Sequence, residues 1–211
     1  MVEGAETASM TYKPGGPAVY EQMRRNKRET ARREYNGDED TLACARFPHL
    51  NECTIPGESA EALNDIALVE VHGGIFMGPF QAAFKTKELI DLGITHILDV
   101  SCKAYTPRDQ YFKYLQLPIQ DTTGEDVRKH FRITNRFIRQ ALNSGGNILV
   151  HSVNGRSRAP TFILAYMIES EKHKLKDGLA MVRRFVPEVE PNEGFMQQLA
   201  EYDLELLQRN E

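Results

Sequence analysis

One stretch of the 211-residue chain decides its fold: Ile148-Leu149-Val150-His151-Ser152-Val153-Asn154-Gly155-Arg156-Ser157-Arg158-Ala159-Pro160. Its three leading apolar residues predict a buried strand, and its last residues lead into an apolar helix. The short loop between them aims backbone N–H groups at one point, where the helix dipole adds positive potential. Gly155 permits a backbone angle that side chains resist, and Arg158 can grip two phosphate oxygens. The stretch therefore predicts an anion-binding loop.

Two well-known loop motifs do not fit this stretch. A nucleotide P-loop requires Gly-x-x-x-x-Gly-Lys followed by Ser or Thr, whereas the nearest such spacing, Gly73 to Gly78, runs into Pro79. A serine-hydrolase elbow requires Gly-x-Ser-x-Gly, which the chain lacks. His151 and Ser152 are neighbours on a strand, so their side chains point apart and cannot pair as base and nucleophile. Neither of those two enzyme classes is indicated.

Strands and helices alternate on both sides of the loop. We predict strands over 66–71, 74–77, 95–100, 111–118 and 147–151. We predict helices over 80–92, 127–143, 161–168, 176–185 and 192–208. Asn192 is the expected N-cap of the last helix, and Asp126 is expected to cap the second. The alternation predicts an α/β fold, a sandwich around a central, mostly parallel sheet flanked by helices.

The loop resembles the signature His-Cys-x-x-Gly-x-x-Arg of cysteine-dependent protein phosphatases, and in particular their dual-specificity (VH1-like) branch. His151, Gly155 and Arg158 match this signature, and Ser157 matches the Gly-x-Ser-Arg that the dual-specificity branch often has. The segments 93–100, 114–121 and 191–199 also resemble ordered motifs of that family, so the resemblance covers about residues 64–209. It implies a three-layer protein-tyrosine-phosphatase-like sandwich, with residues 62–211 as a dual-specificity phosphatase-like domain.

The resemblance also implies a role for each site residue. Ser152 occupies the position of the nucleophilic cysteine, Asp121 that of the general acid, and Arg158 that of the group stabilising the transition state. The implied phosphate-binding residues are Ser152, Val153, Asn154, Gly155, Arg156, Ser157 and Arg158, supported by His151. A serine hydroxyl is far harder to ionise than a thiol. We therefore expect a pseudophosphatase that binds phosphorylated Tyr, Thr or Ser without hydrolysing it.

Two other interpretations remain open at this point. The chain could be a slow dual-specificity phosphatase in which a native cysteine has been replaced by Ser152 to trap substrates. Ala159 argues against a trapping mutant, because the family usually carries a hydroxyl there and trapping gives no reason to change it. One slow branch of the family also has Arg-Ala-Pro, however, so Ala159 leaves this interpretation open. Alternatively, the pocket is vestigial and the protein is a structural component of an assembly.

Composition limits the partners. The net charge of −4 argues against nucleic acid as a partner, and no stretch reaches the ~20 apolar residues of a membrane helix, so we expect no membrane insertion.

The three cysteines, Cys44, Cys53 and Cys102, are too few for a disulfide scaffold, which indicates reduced thiols in the cytoplasm or nucleus. No cofactor and no metal are expected. The histidines His72, His96 and His130 are expected in packing or surface roles.

Residues 1–61 differ from the rest of the chain. They are polar and rich in turn formers, and they contain a basic segment, residues 20–34, that is expected to be partly helical. A helix there would have little apolar face to bury. We expect a polar extension, either solvated or docking an acidic partner or a larger assembly through residues 20–34.

Overall fold

The computed structural model describes residues 68–103 and 111–209. Five strands form one sheet: β1 (Val69–His72), β2 (Ile75–Pro79), β3 (Ile94–Asp99), β4 (Lys113–Gln116) and β5 (Asn147–Ser152). The same described ranges contain five α-helices: α1 (Thr86–Asp91), α2 (Arg128–Asn143), α3 (Arg158–Glu171), α4 (Leu175–Arg183) and α5 (Glu193–Gln208). A 3-10 helix, Phe80–Phe84, follows β2. This order of strands and helices confirms the predicted α/β class.

The sheet has the strand order β1-β2-β5-β3-β4. β1 pairs with β2 in the antiparallel sense, and the other three pairings are parallel, as predicted. The carboxyl ends of the four parallel strands therefore meet at one edge of the sheet, where ligands bind in folds of this class. Ser152 lies at that edge, opposite Pro79 of β2.

The two faces of the sheet bury different hydrophobic clusters. On β5, Ile148 and Val150 belong to the larger cluster, which α2 to α5 cover, while Leu149 belongs to the smaller one. The alternation follows from the period of two along a strand. The smaller cluster consists of Phe76, Ala82, Ala83, Leu89, Ile94, Ile97, Phe112 and Leu149. Helical layers on both faces produce the three-layer sandwich.

The predicted continuous helix over 80–92 is wrong. The chain forms the 3-10 helix Phe80–Phe84, breaks at Lys85 (φ −82°, ψ 55°) and resumes as α1. Ala83 and Leu89 are both buried in the smaller cluster. In one straight α-helix these two positions would lie about 120° apart, so the break lets both face the sheet.

Other boundaries differ by a few residues. The predicted strand over 111–118 pairs only over Lys113–Gln116.

The sequence predicts helix caps at the starts of α5 and α2. Asn192 is the N-cap of α5, as predicted, because its side chain accepts a hydrogen bond of 3.0 Å from the Phe195 N–H. Asp126 Oδ1 accepts from the Lys129 N–H at 3.4 Å, a long hydrogen bond in the first turn of α2.

The extension 1–61, its basic segment 20–34 and the start of the predicted strand at 66–67 lie outside the described residues. Cys44 and Cys53 lie there as well. Within the described ranges, no helix is both long enough and apolar enough to cross a bilayer.

Candidate phosphate-binding site

The loop 153–157 connects β5 to α3 and is fixed at both ends by backbone hydrogen bonds. The Val153 carbonyl accepts from the Phe80 N–H at 3.1 Å, and the Arg156 carbonyl accepts from the Glu190 N–H at 2.8 Å. These bonds anchor the loop to the segment after β2 and to the segment before α5. Two backbone hydrogen bonds that do not involve the side chain of residue 152 therefore hold the ends of the loop.

Gly155 lies where the loop approaches β2 most closely. Its φ of +74° is in the left-handed region that favours glycine. A Cβ atom there would lie 3.0 Å from the Gly78 carbonyl oxygen and 3.4 Å from the Pro79 nitrogen. Both the backbone angle and the available space therefore require glycine, which supplies the physical reason for the glycine of the motif.

Ser152 is the last residue of β5 and is 1% exposed. Its Oγ accepts a hydrogen bond from the Gly155 N–H at 3.2 Å. The hydroxyl thus faces the loop and bonds one of the loop's own N–H groups. Ser152 is the residue to which the resemblance assigns the position of the nucleophile.

Arg158 begins α3 and is 6% exposed, so its guanidinium is largely removed from water. Nη1 donates to the Ile119 carbonyl at 3.1 Å, and Nε lies 3.4 Å from Asp121 Oδ2. The Ile119 carbonyl also accepts from the Cys102 thiol at 2.9 Å. The segment that carries Asp121 therefore orients the arginine of the loop.

Asp121 lies in a network that joins three parts of the chain. Its Oδ1 accepts from the Ser157 hydroxyl at 2.6 Å and from the Asn192 side-chain amide at 2.9 Å. Ser157 Oγ in turn accepts from the Asn192 N–H at 3.2 Å. The predicted acid and arginine are thus brought together, while the partnership of Ser157 and Asn192 with Asp121 was not foreseen. The motif 191–199 was the signal that could have found it.

His151 is fully buried beside Asp99, whose Oδ1 lies 3.7 Å from His151 Nδ1. Burial lowers the pKa of His151, and Asp99 and a hydrogen bond with the Ser152 backbone only partly oppose this effect. The imidazole is therefore neutral at pH 7. The backbone carbonyl of His151 accepts a hydrogen bond of 3.0 Å from the Val100 N–H, which connects the end of β5 to the residue after β3.

Two other side chains, Cys102 and Arg183, donate to backbone carbonyls. The Cys102 thiol donates to a backbone carbonyl, which fits a packing role. Arg183 Nε donates to the Val189 carbonyl at 2.9 Å. In the described part of the chain, one group of three potential metal ligands occurs, namely His72, Glu171 and His173, and none of them belongs to the loop.

Comparisons with known proteins agree with this geometry. Residues 75–205 match the family described as "Dual specificity phosphatase, catalytic domain". The mouse Serine/threonine/tyrosine-interacting protein is 37% identical over 166 residues, covering 74% of each chain. A crystal structure of the human tyrosine phosphatase-like serine/threonine/tyrosine-interacting protein aligns with a TM-score of 0.63 at 37% identity, over 66% of this chain and 97% of that one.

A second solved structure, human DUSP28, aligns with a TM-score of 0.64 at 33% identity, over 66% of this chain and 95% of that one. The match of the family over residues 75–205 includes every site residue described above. With the sheet topology, the glycine at 155 and the arginine at the start of α3, these similarities show that the chain belongs to the dual-specificity phosphatase family.

Proposed function

We propose that the protein binds phosphorylated Tyr, Thr or Ser residues of a partner protein without hydrolysing them, and acts as a pseudophosphatase regulator or scaffold. The observation that carries this proposal is the loop 153–157, which we call the phosphate loop. It has Gly155 against the end of β2 and Arg158 directly after it, and the Ser152 hydroxyl bonds the Gly155 N–H where the family has a cysteine. The chain's similarity to proteins named serine/threonine/tyrosine-interacting supports the same interpretation.

Absence of turnover follows from the chemistry of residue 152. A cysteine in such a loop can ionise because its pKa, near 8.5 in free peptides, falls beside N–H groups and a helix N-terminus. A serine hydroxyl needs a general base instead. His151 does not supply one, because it lies on the opposite side of the strand and is held against Asp99. Attack on phosphorus by Ser152 is therefore expected to be negligible.

Binding does not need the nucleophile. A phosphate entering the loop meets backbone N–H groups at the positive end of α3 and the Arg158 guanidinium. The neutral Ser152 replaces a thiolate that would repel the phosphate dianion. The affinity of the loop for phosphate is therefore expected to equal or exceed that of a cysteine-containing version.

An active but slow dual-specificity phosphatase, with Ser152 in place of a native cysteine, is the second candidate. The presence of an aspartate at position 121 favours it, because the resemblance assigns the general acid to this residue and its Oδ2 lies 3.4 Å from Arg158 Nε of the same site. A third possibility, a structural component of an assembly, requires that the loop has lost its affinity for phosphate. Residues 20–34 would then provide the contacts with an acidic partner.

The decisive experiment compares the chain with its Ser152→Cys variant. Hydrolysis of an aryl phosphate and binding of a phosphotyrosine peptide are measured for both proteins, with the unphosphorylated peptide as control. We expect peptide binding by both proteins and turnover only by Ser152→Cys. Turnover by the parent chain would contradict the pseudophosphatase proposal. Failure of both proteins to bind phosphopeptide would leave only the structural role.

A further inference from the structure

Three potential metal ligands converge at the edge of the sheet opposite the phosphate loop. His72 ends β1, Glu171 ends α3, and His173 follows two residues later. His72 Nε2 lies 2.6 Å and His173 Nε2 3.5 Å from the same carboxylate oxygen, Glu171 Oε2. One ligand atom from each residue lies within 4.8 Å of those of the other two.

The local backbone explains the convergence. Lys172, the C-cap of α3, adopts a left-handed conformation with φ 61° and ψ 26°. The chain then turns back, so that the His173 N–H donates to the Met167 carbonyl at 3.1 Å, and the side chain of His173 returns beside Glu171. The two imidazole rings meet edge to face, with centroids 6.0 Å apart and planes at 89°. They are therefore not stacked and flank one carboxylate.

We propose that His72, Glu171 and His173 form a binding site for a divalent first-row transition metal, with Zn²⁺ as the representative ion. Imidazole and carboxylate are ligands that such ions take in proteins, and two histidines with one carboxylate make a three-ligand site that leaves a position for water. The C-terminal end of α3 adds the negative end of the helix dipole. No metal was expected from the sequence, in which His72 was assigned a packing or surface role.

The distances suit an ion after small side-chain rotations. Zn–N and Zn–O bonds of about 2.0–2.2 Å in a tetrahedron separate the ligand atoms by roughly 3.4 Å. The His173–Glu171 distance of 3.5 Å already satisfies this requirement. The His72–Glu171 distance of 2.6 Å must increase by roughly 0.8 Å, because a hydrogen bond now occupies the place of the ion. Side chains 21–33% exposed have room for this movement and leave the fourth position open to water.

A metal ion bound by these three side chains would connect β1 to the end of α3. That helix has 14 residues and is roughly 21 Å long, so the ion would lie at the end distant from the phosphate loop. The expected consequence is a more stable domain when the metal is bound.

The test uses the full chain with Cys44 and Cys53 replaced by serine, so that thiolates outside the described residues cannot bind the metal. Zn²⁺ binding is measured by calorimetry and by the shift of the melting temperature. Co²⁺ is then substituted, because its visible spectrum reports on coordination by nitrogen and oxygen. We expect saturable binding of one ion per chain, a higher melting temperature with zinc, and a visible cobalt spectrum without intense thiolate bands.

Single variants assign the ligands. His72→Gln, His173→Gln and Glu171→Gln should each weaken zinc binding at least about tenfold, since even the loss of an outer-shell partner costs that much. His130→Gln, a half-buried histidine on α2, is the matched control and should bind zinc like the parent. Circular dichroism confirms that each variant folds. Equal zinc affinity in the three ligand variants and the control, or no saturable binding by the parent, would overturn the proposal.

Discussion

Replacement of Arg158 by alanine should abolish most phosphopeptide affinity while leaving the fold intact. Arg158 is 6% exposed, and in the proposed complex its guanidinium would donate two charge-assisted hydrogen bonds to the phosphate, which alanine cannot make. Hydrogen bonds to charged groups contribute about 1.5–3 kcal/mol each. A loss of about 3 kcal/mol corresponds to a roughly 150-fold increase in Kd. Arg158→Lys keeps the charge but not the fork, so an intermediate loss of roughly tenfold is expected.

The fold should tolerate this substitution because the partners of Arg158 keep other hydrogen bonds. The Ile119 carbonyl still accepts from the Cys102 thiol at 2.9 Å. Asp121 still accepts from Ser157 at 2.6 Å and from Asn192 at 2.9 Å. An unsatisfied buried acceptor is the usual cause of a large loss of stability after such a truncation, and Arg158→Ala leaves none among these partners.

The assay is fluorescence polarisation with a labelled phosphotyrosine peptide and its unphosphorylated counterpart. Arg136→Ala on the exposed face of α2 is the matched control, since it removes the same charge away from the loop. Parent-like binding by Arg158→Ala would refute the claim that the loop recognises phosphate. An equal loss in the Arg136 control would show that only the net charge matters.

Three further predictions concern Gly155, His96 and Asn192. Gly155→Ala should destabilise the domain by about 2 kcal/mol in urea unfolding, because the new Cβ combines a left-handed φ with a contact of 3.0 Å to a backbone oxygen. Gly124→Ala is the control and should not destabilise the domain, because its Cβ would meet nothing within 4 Å. Burial lowers the pKa of His96 to about 4. The unfolded chain binds a proton at its ordinary pKa near 6.5, so stability should decrease by roughly 3 kcal/mol as the pH falls from about 6.5 to 4. His96→Phe should flatten that part of the stability–pH profile, and an unchanged slope would contradict the assignment. Asn192→Ala removes the cap of α5 and one donor to Asp121. It should cost about 1 kcal/mol of stability and slow the turnover of a cysteine-restored enzyme, and unchanged values of both would refute the double role.

Local patterns were sufficient to predict most of the fold. The continuous apolar residues of β5 indicated a strand with both faces buried, and Ile148 and Leu149 do face opposite clusters. The residues 144–146 ended α2 as expected, with Gly145 at φ +77°. The helix over 80–92 was wrong because packing of Ala83 and Leu89 against the sheet outweighs the local preference for one continuous helix.

The candidate site could be proposed from the sequence where one short motif contains its residues. The loop residues, including Gly155 and Arg158, are consecutive, and the resemblance to phosphatases supplied their roles. The network around Asp121 joins residues 36 and 71 positions apart in sequence, and no local pattern reports such distances. The cluster at His72 escaped prediction for the same reason, because a strand end and a helix end meet there only in the folded chain.

Binding and catalysis are separable in this loop because they depend on different atoms. Its shape comes from backbone bonds to Phe80 and Glu190 and from the glycine at 155, and none of these requires ionisation of residue 152. Serine and cysteine differ in one atom, so the hydroxyl can accept the Gly155 N–H in place of a thiolate. The shape of the loop therefore does not depend on whether residue 152 is serine or a cysteine thiolate. This reasoning predicts that Ser152→Cys leaves the fold unchanged, and the proposed function predicts that it restores turnover.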